Sequence, residues 1–529
     1  MVSIVPCVPV ACRQLHRESE APRDESWFSC SRGDPAGRPY GMPHLARAFF
    51  LSKTRATAYN QRMMTFLRAH KLALVLILAL VLRLAILFAF PSLFAFDQTG
   101  TVHGSTAYDT YAQHLLASGV YGKITPGVPD AHLPPLYSYL LALVYGIFGR
   151  GYLPVALMHI GFDLAAIVLL YHLCRRLFPQ GEAVGALAGL FYAAYPYLIF
   201  QNLTLIDTPF FMLLLYGFLL LMAELGLRPR FDREGWALAL LGGVVLGLLA
   251  LTRTNAVIVA LVVALWIWSR AGFKAAVGRL LPVALISALT IAPWIVRNYQ
   301  VFETFVPVAL NGGENFYQGN NQYTVPYFRA GYDVQWVPPP EGIDFPDRFG
   351  PQANAARQQA GLDYLSQHPE AIPDLLWTKF LIHWSIDIAP LRNPAEGETL
   401  RLDFDGSVIV ETDDVGALAL GGLPPGDAVG VYSSSLFDQL GRSVHRLYYG
   451  GLFVLALLGI IVSARHWREV SLLWWVQIAM MVVYIIFHPS TRYRAPTDPL
   501  LFAFSAYALV YVWLRVRGRQ EVERQYAHG

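Results

Sequence analysis

Ionisable residues cluster beside the ends of the hydrophobic runs of this chain, where an apolar sequence gains nothing from them. Three aspartates (Asp97, Asp109, Asp207) and four arginines (Arg253, Arg297, Arg492, Arg494) stand there, with Asp130, His132, Asn298 and His488. Charge at the hydrocarbon edge is costly unless it serves a purpose. Arginine offers phosphate a planar fork of N–H donors and stays charged at any working pH. A nearby carboxylate can take a proton from an attacking hydroxyl. The combination suits group transfer away from a lipid-borne phosphate. Each arginine alone could simply snorkel or pair with a loop acid; the set, gathered on one face, carries the reading.

The elements that must hold these residues are membrane spans. Of 529 residues, 55% are hydrophobic and only 15% charged, against about a quarter charged in soluble domains. Apolar runs fall at 72–90, 153–173, 183–201, 209–226, 236–252, 256–270, 278–296, 447–463, 470–487 and 498–514, most near the ~20 residues that cross hydrocarbon. Basic clusters sit at Arg68/Lys71, Arg175-Arg176, Arg228/Arg230/Arg233, Arg270/Lys274/Arg279, Arg465/Arg468 and Arg515/Arg517/Arg519. They fall at alternate span ends, which makes that side cytoplasmic and puts the isolated acids and arginines on the other. The apolar segment Pro134–Gly149 would reverse every later loop if it crossed. It therefore reads as a helix lying at the outer interface, as its tyrosines Tyr137, Tyr139 and Tyr145 suggest. The charged residues are expected at the outer ends of spans, not inside them.

The fold class that follows is an all-α polytopic membrane protein of about ten spans with a mixed α/β extracytoplasmic domain. Residues 1–62 are polar, without sustained apolar periodicity, and read as a disordered N-terminal extension; Met63-Met64 followed by Arg68 and Lys71 resembles the usual start of a membrane protein. An N-terminal membrane module covers 63–296, with a first outer loop at 91–152. The outer domain, 297–446, carries 19 Asp/Glu against 7 Lys/Arg between Asn298 and His445 and is net acidic by 12. A helix is expected near 355–385, a short strand pair over Arg401–Thr412, and a Gly/Pro-rich loop over 418–430. A second membrane module, 447–515, and a basic cytoplasmic tail, 516–529, complete the chain. Four scattered cysteines imply no disulfide framework, and Cys7, Cys12 and Cys30 lack the spacing of a metal knuckle. Nothing points to nucleic acid.

In the first outer loop, Tyr108, Ala112, Leu115 and Leu116 share one helical face, giving an amphipathic surface helix. Asp109 stands near its start, where the helix dipole favours the ionised form; a simple first-turn acid would look the same.

At these residues the sequence resembles the GT-C superfamily of membrane glycosyltransferases, in particular bacterial relatives of the dolichyl-phosphate-mannose protein mannosyltransferases and the lipid A aminoarabinose transferases. Four patterns between about 72 and 515 carry the resemblance. The first is Tyr108 to Tyr121 followed by Pro134-Pro135-Leu136-Tyr137, and the second is Arg175-Arg176-Leu177-Phe178. The third runs from Ala292-Pro293-Trp294 through Arg297-Asn298-Tyr299 to Asn311-Gly312-Gly313 and Gly319-Asn320-Asn321; the fourth is Thr491-Arg492-Tyr493-Arg494-Ala495-Pro496. The resemblance implies an acid after the first span as catalytic base and a second acid after span three. It also implies outer arginines holding the lipid phosphate. Asp207 matches the second acid. Counting back from Tyr108, the usual position of the base falls on Gly104 or Ser105, so either Asp109 or Asp97 must serve.

The implied reaction moves a sugar from a polyprenyl-phosphate donor to a hydroxyl of a lipid, glycan or protein acceptor outside the cytoplasm, by inverting displacement. Arg253, Arg297, Arg492 and Arg494 would hold the phosphate, and Tyr108, Asp130, His132, Asn298 and His488 would touch donor or acceptor. No Asp-x-Asp element of nucleotide-sugar character is evident, which fits a lipid donor without an obligatory metal or other cofactor. The rival class is a transporter or flippase, which would favour internal repeats and broken spans at mid-membrane; no repeat relates the two halves.

Overall fold

The computed structural model describes residues 70–90, 105–342, 345, 347–391, 394, 398–403, 406–412 and 436–527. The expected extension over 1–62, the candidate Asp97 and the loop 418–430 lie outside them.

The first span, α1 (Lys71–Ala89), is almost uninterrupted Leu, Ala and Val. Two short helices follow. Helix α2 (Thr106–Ser118) stops at Gly119, whose φ of 71° lets its N–H reach the Leu115 carbonyl. Helix α3 (Leu136–Phe148) has 13 residues, about 20 Å at 1.5 Å per residue, too short to cross hydrocarbon. The segment expected not to cross, 134–149, and the span expected at 256–270 both fall short of a crossing length.

Apolar helices follow in series: α4 (Tyr152–Leu177), the pair α5 (Gly181–Ala193) and α6 (Pro196–Leu203), α7 (Thr208–Leu227), α8 (Arg233–Thr252), α9 (Ala256–Ala271) and α10 (Phe273–Phe302). The α5–α6 pair bends by 60°, because Pro196 cannot continue the helix that precedes it. Eight helices are long and apolar enough to cross a membrane, nine with the bent pair as one span; α9, with 16 residues, falls short of that length, so the span expected at 256–270 is not among them. Helix α8 lies tightly on α10 because Gly243 and Gly247 remove side chains there. A Cβ would meet Ile286 at 2.7 Å and Thr290 at 2.5 Å, the close approach that small residues permit in lipid.

The domain that the charge pattern assigns to the outer side, the outer domain, is built from α11 (Gly312–Gly319), α12 (Thr324–Ala330), α13 (Pro351–Gln367) and α14 (Ile372–His383), then β1 (Glu398–Leu402) and β2 (Val408–Thr412). The single helix expected near 355–385 is two, because Pro369 and Pro373 break it. The strands pair antiparallel with Leu400 opposite Val410, over the stretch where a strand pair was expected. Helix α15 (Leu436–Val462) starts well before its apolar run, and α16 (Trp467–Ile486), the turn α17 (Thr491–Arg494) and α18 (Asp498–Ala527) close the bundle.

The two ends of the bundle differ as the charge pattern implied. At one end the basic residues meet their partners: Arg176 pairs with Glu224 at 3.2 Å, Arg270 with Glu469 at 3.3 Å, and Arg279 donates to the Arg228 carbonyl at 2.8 Å. At the other end the loops interlock. Ser105 N–H donates to Leu205 O at 3.0 Å, Leu310 N–H to Ala131 O at 2.7 Å and Thr491 N–H to Ala389 O at 2.7 Å. The chain is an all-α polytopic membrane protein with a small mixed domain.

One expectation fails. Charged residues do occur inside spans. Arg83 of α1 and Asp163 of α4 are 0% and 1% exposed and pair at 2.6 Å. Tyr192 OH and Asn202 Nδ2 also donate to Asp163, at 2.8 and 2.6 Å, and Arg83 Nη1 donates to Ala193 O at 3.0 Å. A single charge in a strongly apolar helix leaves its hydropathy intact, so the run gives no warning of it.

Candidate active site

The interlocked end gathers the polar ends of several spans. Asp207 precedes α7 and Arg253 follows α8, and the short turns there bring them together across antiparallel neighbours. Arg253 Nε donates to Asp207 Oδ2 at 2.6 Å, and Nη2 to Oδ1 at 2.8 Å and to Thr208 Oγ1 at 2.8 Å. Asp207 is 2% exposed. The third nitrogen, Arg253 Nη1, is buried and has no partner among the described residues; Arg492 Nε is in the same state. Arg492 lies within electrostatic reach of Asp207, Arg253 and Tyr108. Arg253 and Arg492 thus each keep a buried donor without a partner among the described residues, and Arg492 lies within electrostatic reach of the Asp207–Arg253 pair.

Tyr108 completes this group from α2, its ring edge against Tyr137 with centroids 4.9 Å apart. Burial, with Asp207 adding to it, pushes its hydroxyl far above the ordinary phenol range, so it stays a neutral hydrogen-bonding group. Tyr484 lines the same wall: it accepts from Asn255 Nδ2 at 2.8 Å and stacks on Tyr493 at 5.2 Å.

Asp109 points elsewhere. Arg150 Nε and Nη2 donate to it at 3.1 and 2.8 Å, Tyr145 OH at 2.9 Å and Gln113 Nε2 at 2.8 Å. Both oxygens are engaged, and they join α2 to the α3–α4 turn. Arg297 and Arg494 are held mainly by backbone carbonyls, though Arg494 Nη2 is also buried without a partner among the described residues. Arg297 donates to Asp130 O at 2.8 Å and Tyr121 O at 2.9 Å, fastening the first outer loop to the end of α10. Arg494, fully buried over the Tyr449 ring, bonds Asp498 at 3.1 Å and the carbonyls of His383 and Ser385. Asn298 holds the turn after α10 through Val306 O at 3.0 Å.

Asp130 shapes the first outer loop. It accepts from Tyr111 OH, from Lys123 N–H at 2.6 Å and from His132 N–H at 3.1 Å. Burial first, then Lys123, Arg357 and Arg348, pushes His132 down to about 3, so it is neutral. Burial, with Lys379 and Arg492, likewise takes His488 down to about 3; its Nε2 lies 3.4 Å from Asn315 Oδ1. The loop carrying His488 sits close because Gly319 has no side chain: a Cβ there would overlap Phe487 O at 1.7 Å.

Sequence reasoning missed Arg150, whose place beside two glycines in the Gly149–Gly151 turn was the available signal, and Lys379, one cation on an otherwise ordinary helix. Among the described residues no three His, Cys, Asp or Glu side chains gather closely enough to hold a metal.

Residues 132–296 match the family described as dolichyl-phosphate-mannose-protein mannosyltransferase. No curated protein matches the chain by sequence. Among solved structures, the Archaeoglobus fulgidus oligosaccharyltransferase tethered with an acceptor peptide is similar at TM-score 0.50 and 14% identity, over 87% of this chain and 51% of that one. Archaeal AglB from the same organism, in complex with an inhibitory peptide and a dolichol-phosphate, is similar at TM-score 0.50 and 16% identity, over 87% and 52%. ArnT from Cupriavidus metallidurans bound to undecaprenyl phosphate gives TM-score 0.35 at 15% identity, over 83% and 76%. This chain spans about half the length of the Archaeoglobus proteins. The likeness to the Archaeoglobus structures is one of fold, and the family model matches under a third of the chain.

Proposed function

We propose that this chain is a glycosyltransferase that moves a sugar from a polyprenyl-phosphate donor to an acceptor hydroxyl at the outer end of the bundle. The observation that carries the reading is the pair of unspent guanidinium donors, Arg253 Nη1 and Arg492 Nε, beside Asp207. Donors fixed in advance toward a developing phosphate charge stabilise the departing group without reorganisation. Phosphate needs little further help to leave, so the chemistry asks mainly for these cations and for a base. The family match over 132–296 and the GT-C fold support transfer from a lipid phosphate, and a protein of that fold, AglB, is described with a dolichol-phosphate.

The base deprotonates the acceptor hydroxyl as its oxygen attacks the anomeric carbon, opposite the departing phosphate, and the anomeric centre inverts. A carboxylate that accepts from an arginine fork, a tyrosine and an amide is a poor base. The saturation of Asp109 therefore favours Asp97 for this role, with Asp207 orienting Arg253. The experiment is transfer from radiolabelled polyprenyl-phosphate sugars in proteoliposomes. Turnover by the wild type, lost with Asp97→Asn, supports the proposal; no turnover with any such donor sinks it.

A further inference from the structure

Between the first outer loop and the outer-domain helices lies a cavity of about 430 Å³, lined by Lys123, His132, Glu314, Arg348, Phe349 and Arg357 among others. Its charge runs against its surroundings. The outer domain is net acidic by 12, yet two of its seven cations, Arg348 and Arg357, meet Lys123 of the first loop here. Among the described residues Glu314 is the only carboxylate in the lining; it stands 3.7 Å from both Arg357 and His132. His132 is neutral, so among the described residues three cations face one anion and the lining carries a net charge of +2. Asp130 lies behind the wall with its oxygens committed to Tyr111, Lys123 N–H and His132 N–H.

Like charges held together without counter-ions are unfavourable, and among the described residues neither Lys123 nor Arg348 has an ion-pair partner. Both instead lie over the Phe349 ring, at 5.0 and 5.1 Å. His132 packs on the same ring at 4.4 Å. A wall of net +2 with an aromatic floor matches a dianion joined to a flat, partly apolar body. A phosphate monoester carries about −1.5 to −2 near neutral pH, and pockets that hold small molecules start at roughly 300 Å³.

We propose that this cavity binds the phosphate of a phosphorylated sugar, with Arg348, Arg357 and Lys123 on the phosphate and the sugar ring over Phe349. Helix α11 connects it to the candidate active site: Glu314 lines the cavity, and the next residue, Asn315, meets His488 of the loop that carries Arg492. The occupant is the acceptor's headgroup, and this last assignment rests on the transferase reading. The donor brings the same chemistry, a phosphate on a lipid, so the test must separate the two.

Glucose 1-phosphate and farnesyl phosphate serve as probes in calorimetric titrations of the full chain in detergent. The wild type should bind glucose 1-phosphate in preference to glucose. Arg348→Gln and Arg357→Gln should each weaken it at least tenfold, while Arg253→Lys leaves it unchanged. Farnesyl phosphate should respond in the opposite sense, weakened by Arg253→Lys alone. Arg348 is exposed, so Arg348→Gln decides the matter even if Arg357→Gln does not fold. Absence of glucose 1-phosphate binding in the wild type overturns the proposal, as does loss in Arg253→Lys with Arg348→Gln intact. Farnesyl phosphate weakened by Arg348→Gln would give the cavity to the donor and overturn the acceptor assignment. No arm depends on turnover, so a failure of the transferase reading is seen separately.

Discussion

Arg253 grips Asp207 with two nitrogens, at 2.6 and 2.8 Å, and holds its third, Nη1, buried and unpaired beside the same carboxylate. A fork fixed on one side by an acid is aimed on the other, so the acid sets the arginine's direction and the free donor is left for a ligand. Loss of either member should cost the same function.

Arg253→Lys keeps the charge but not the fork. Turnover with a polyprenyl-phosphate sugar should fall about 10²-fold, the scale for one preorganised donor to a developing anion. Asp207→Asn should fall comparably, and the double variant little further, because the two act as a unit. Steady-state kinetics of the three proteins decide it, and additive losses would mean that the pair is not one device.

Asp97→Asn and Asp109→Asn should fail in different ways. Removing the base costs typically 10²- to 10⁴-fold in rate and should leave the melting point of Asp97→Asn near that of the wild type. Asp109→Asn breaks a buried fork to Arg150 and should chiefly lower thermal stability. Arg150→Gln should reproduce it, and the double variant should show a coupling of about 0.5–3 kcal/mol. A stable but inactive Asp109→Asn would return the base to Asp109.

The layout of spans was legible because hydropathy and basic residues are local signals, and the alternation of Arg175-Arg176, Arg228 and Arg270 with Asp207 and Arg253 survives as two ends of the bundle. Asp207 and Arg253 could each be singled out as costly residues at span ends. Their pairing could not, since 46 residues separate them and only the packing of α7 on α8 brings them together. Arg297 and Arg494 look like Arg253 in sequence, and only the carbonyls around them show that they are backbone clamps. The cavity cations were hidden differently: a domain summed as acidic conceals Arg348, just before α13, and Arg357 within it. Arg83 and Asp163 escaped because each is one charge in an apolar run.

That intramembrane pair makes a prediction about stability. Asp163→Asn leaves Arg83 buried and uncompensated, which costs about 3–5 kcal/mol when one partner of a buried pair is removed. Arg83→Met leaves Asp163 with Tyr192 and Asn202 as donors, and should cost less. Combining Arg83→Met with Asp163→Asn should restore part of the Asp163→Asn loss. Melting midpoints in detergent test the order, and an unchanged midpoint for Asp163→Asn would show that the pair holds nothing.

Lys379 supplies a pH dependence whose sign can be worked out. It is 1% exposed in α14, donates to Asn320 Oδ1 at 2.9 Å and has no carboxylate within ion-pair distance among the described residues. Burial brings its ammonium down from 10.5 to about 7. In the unfolded chain the group keeps its proton up to about 10.5, whereas in the folded chain it releases it near 7. Between these values the unfolded state binds more protons, so this residue makes stability rise with pH. Below about 7 both states are protonated, and the full cost of burying the charge is present. Lys379→Met removes that cost together with a hydrogen bond to Asn320, and the second loss does not depend on pH. The variant should therefore gain most over the wild type at pH 6, and its advantage should shrink steadily by pH 9. Thermal unfolding of both proteins across that range checks it. A difference that stays constant with pH would show that Lys379 keeps its charge throughout, held by a counter-ion that the pairing with Asn320 does not provide.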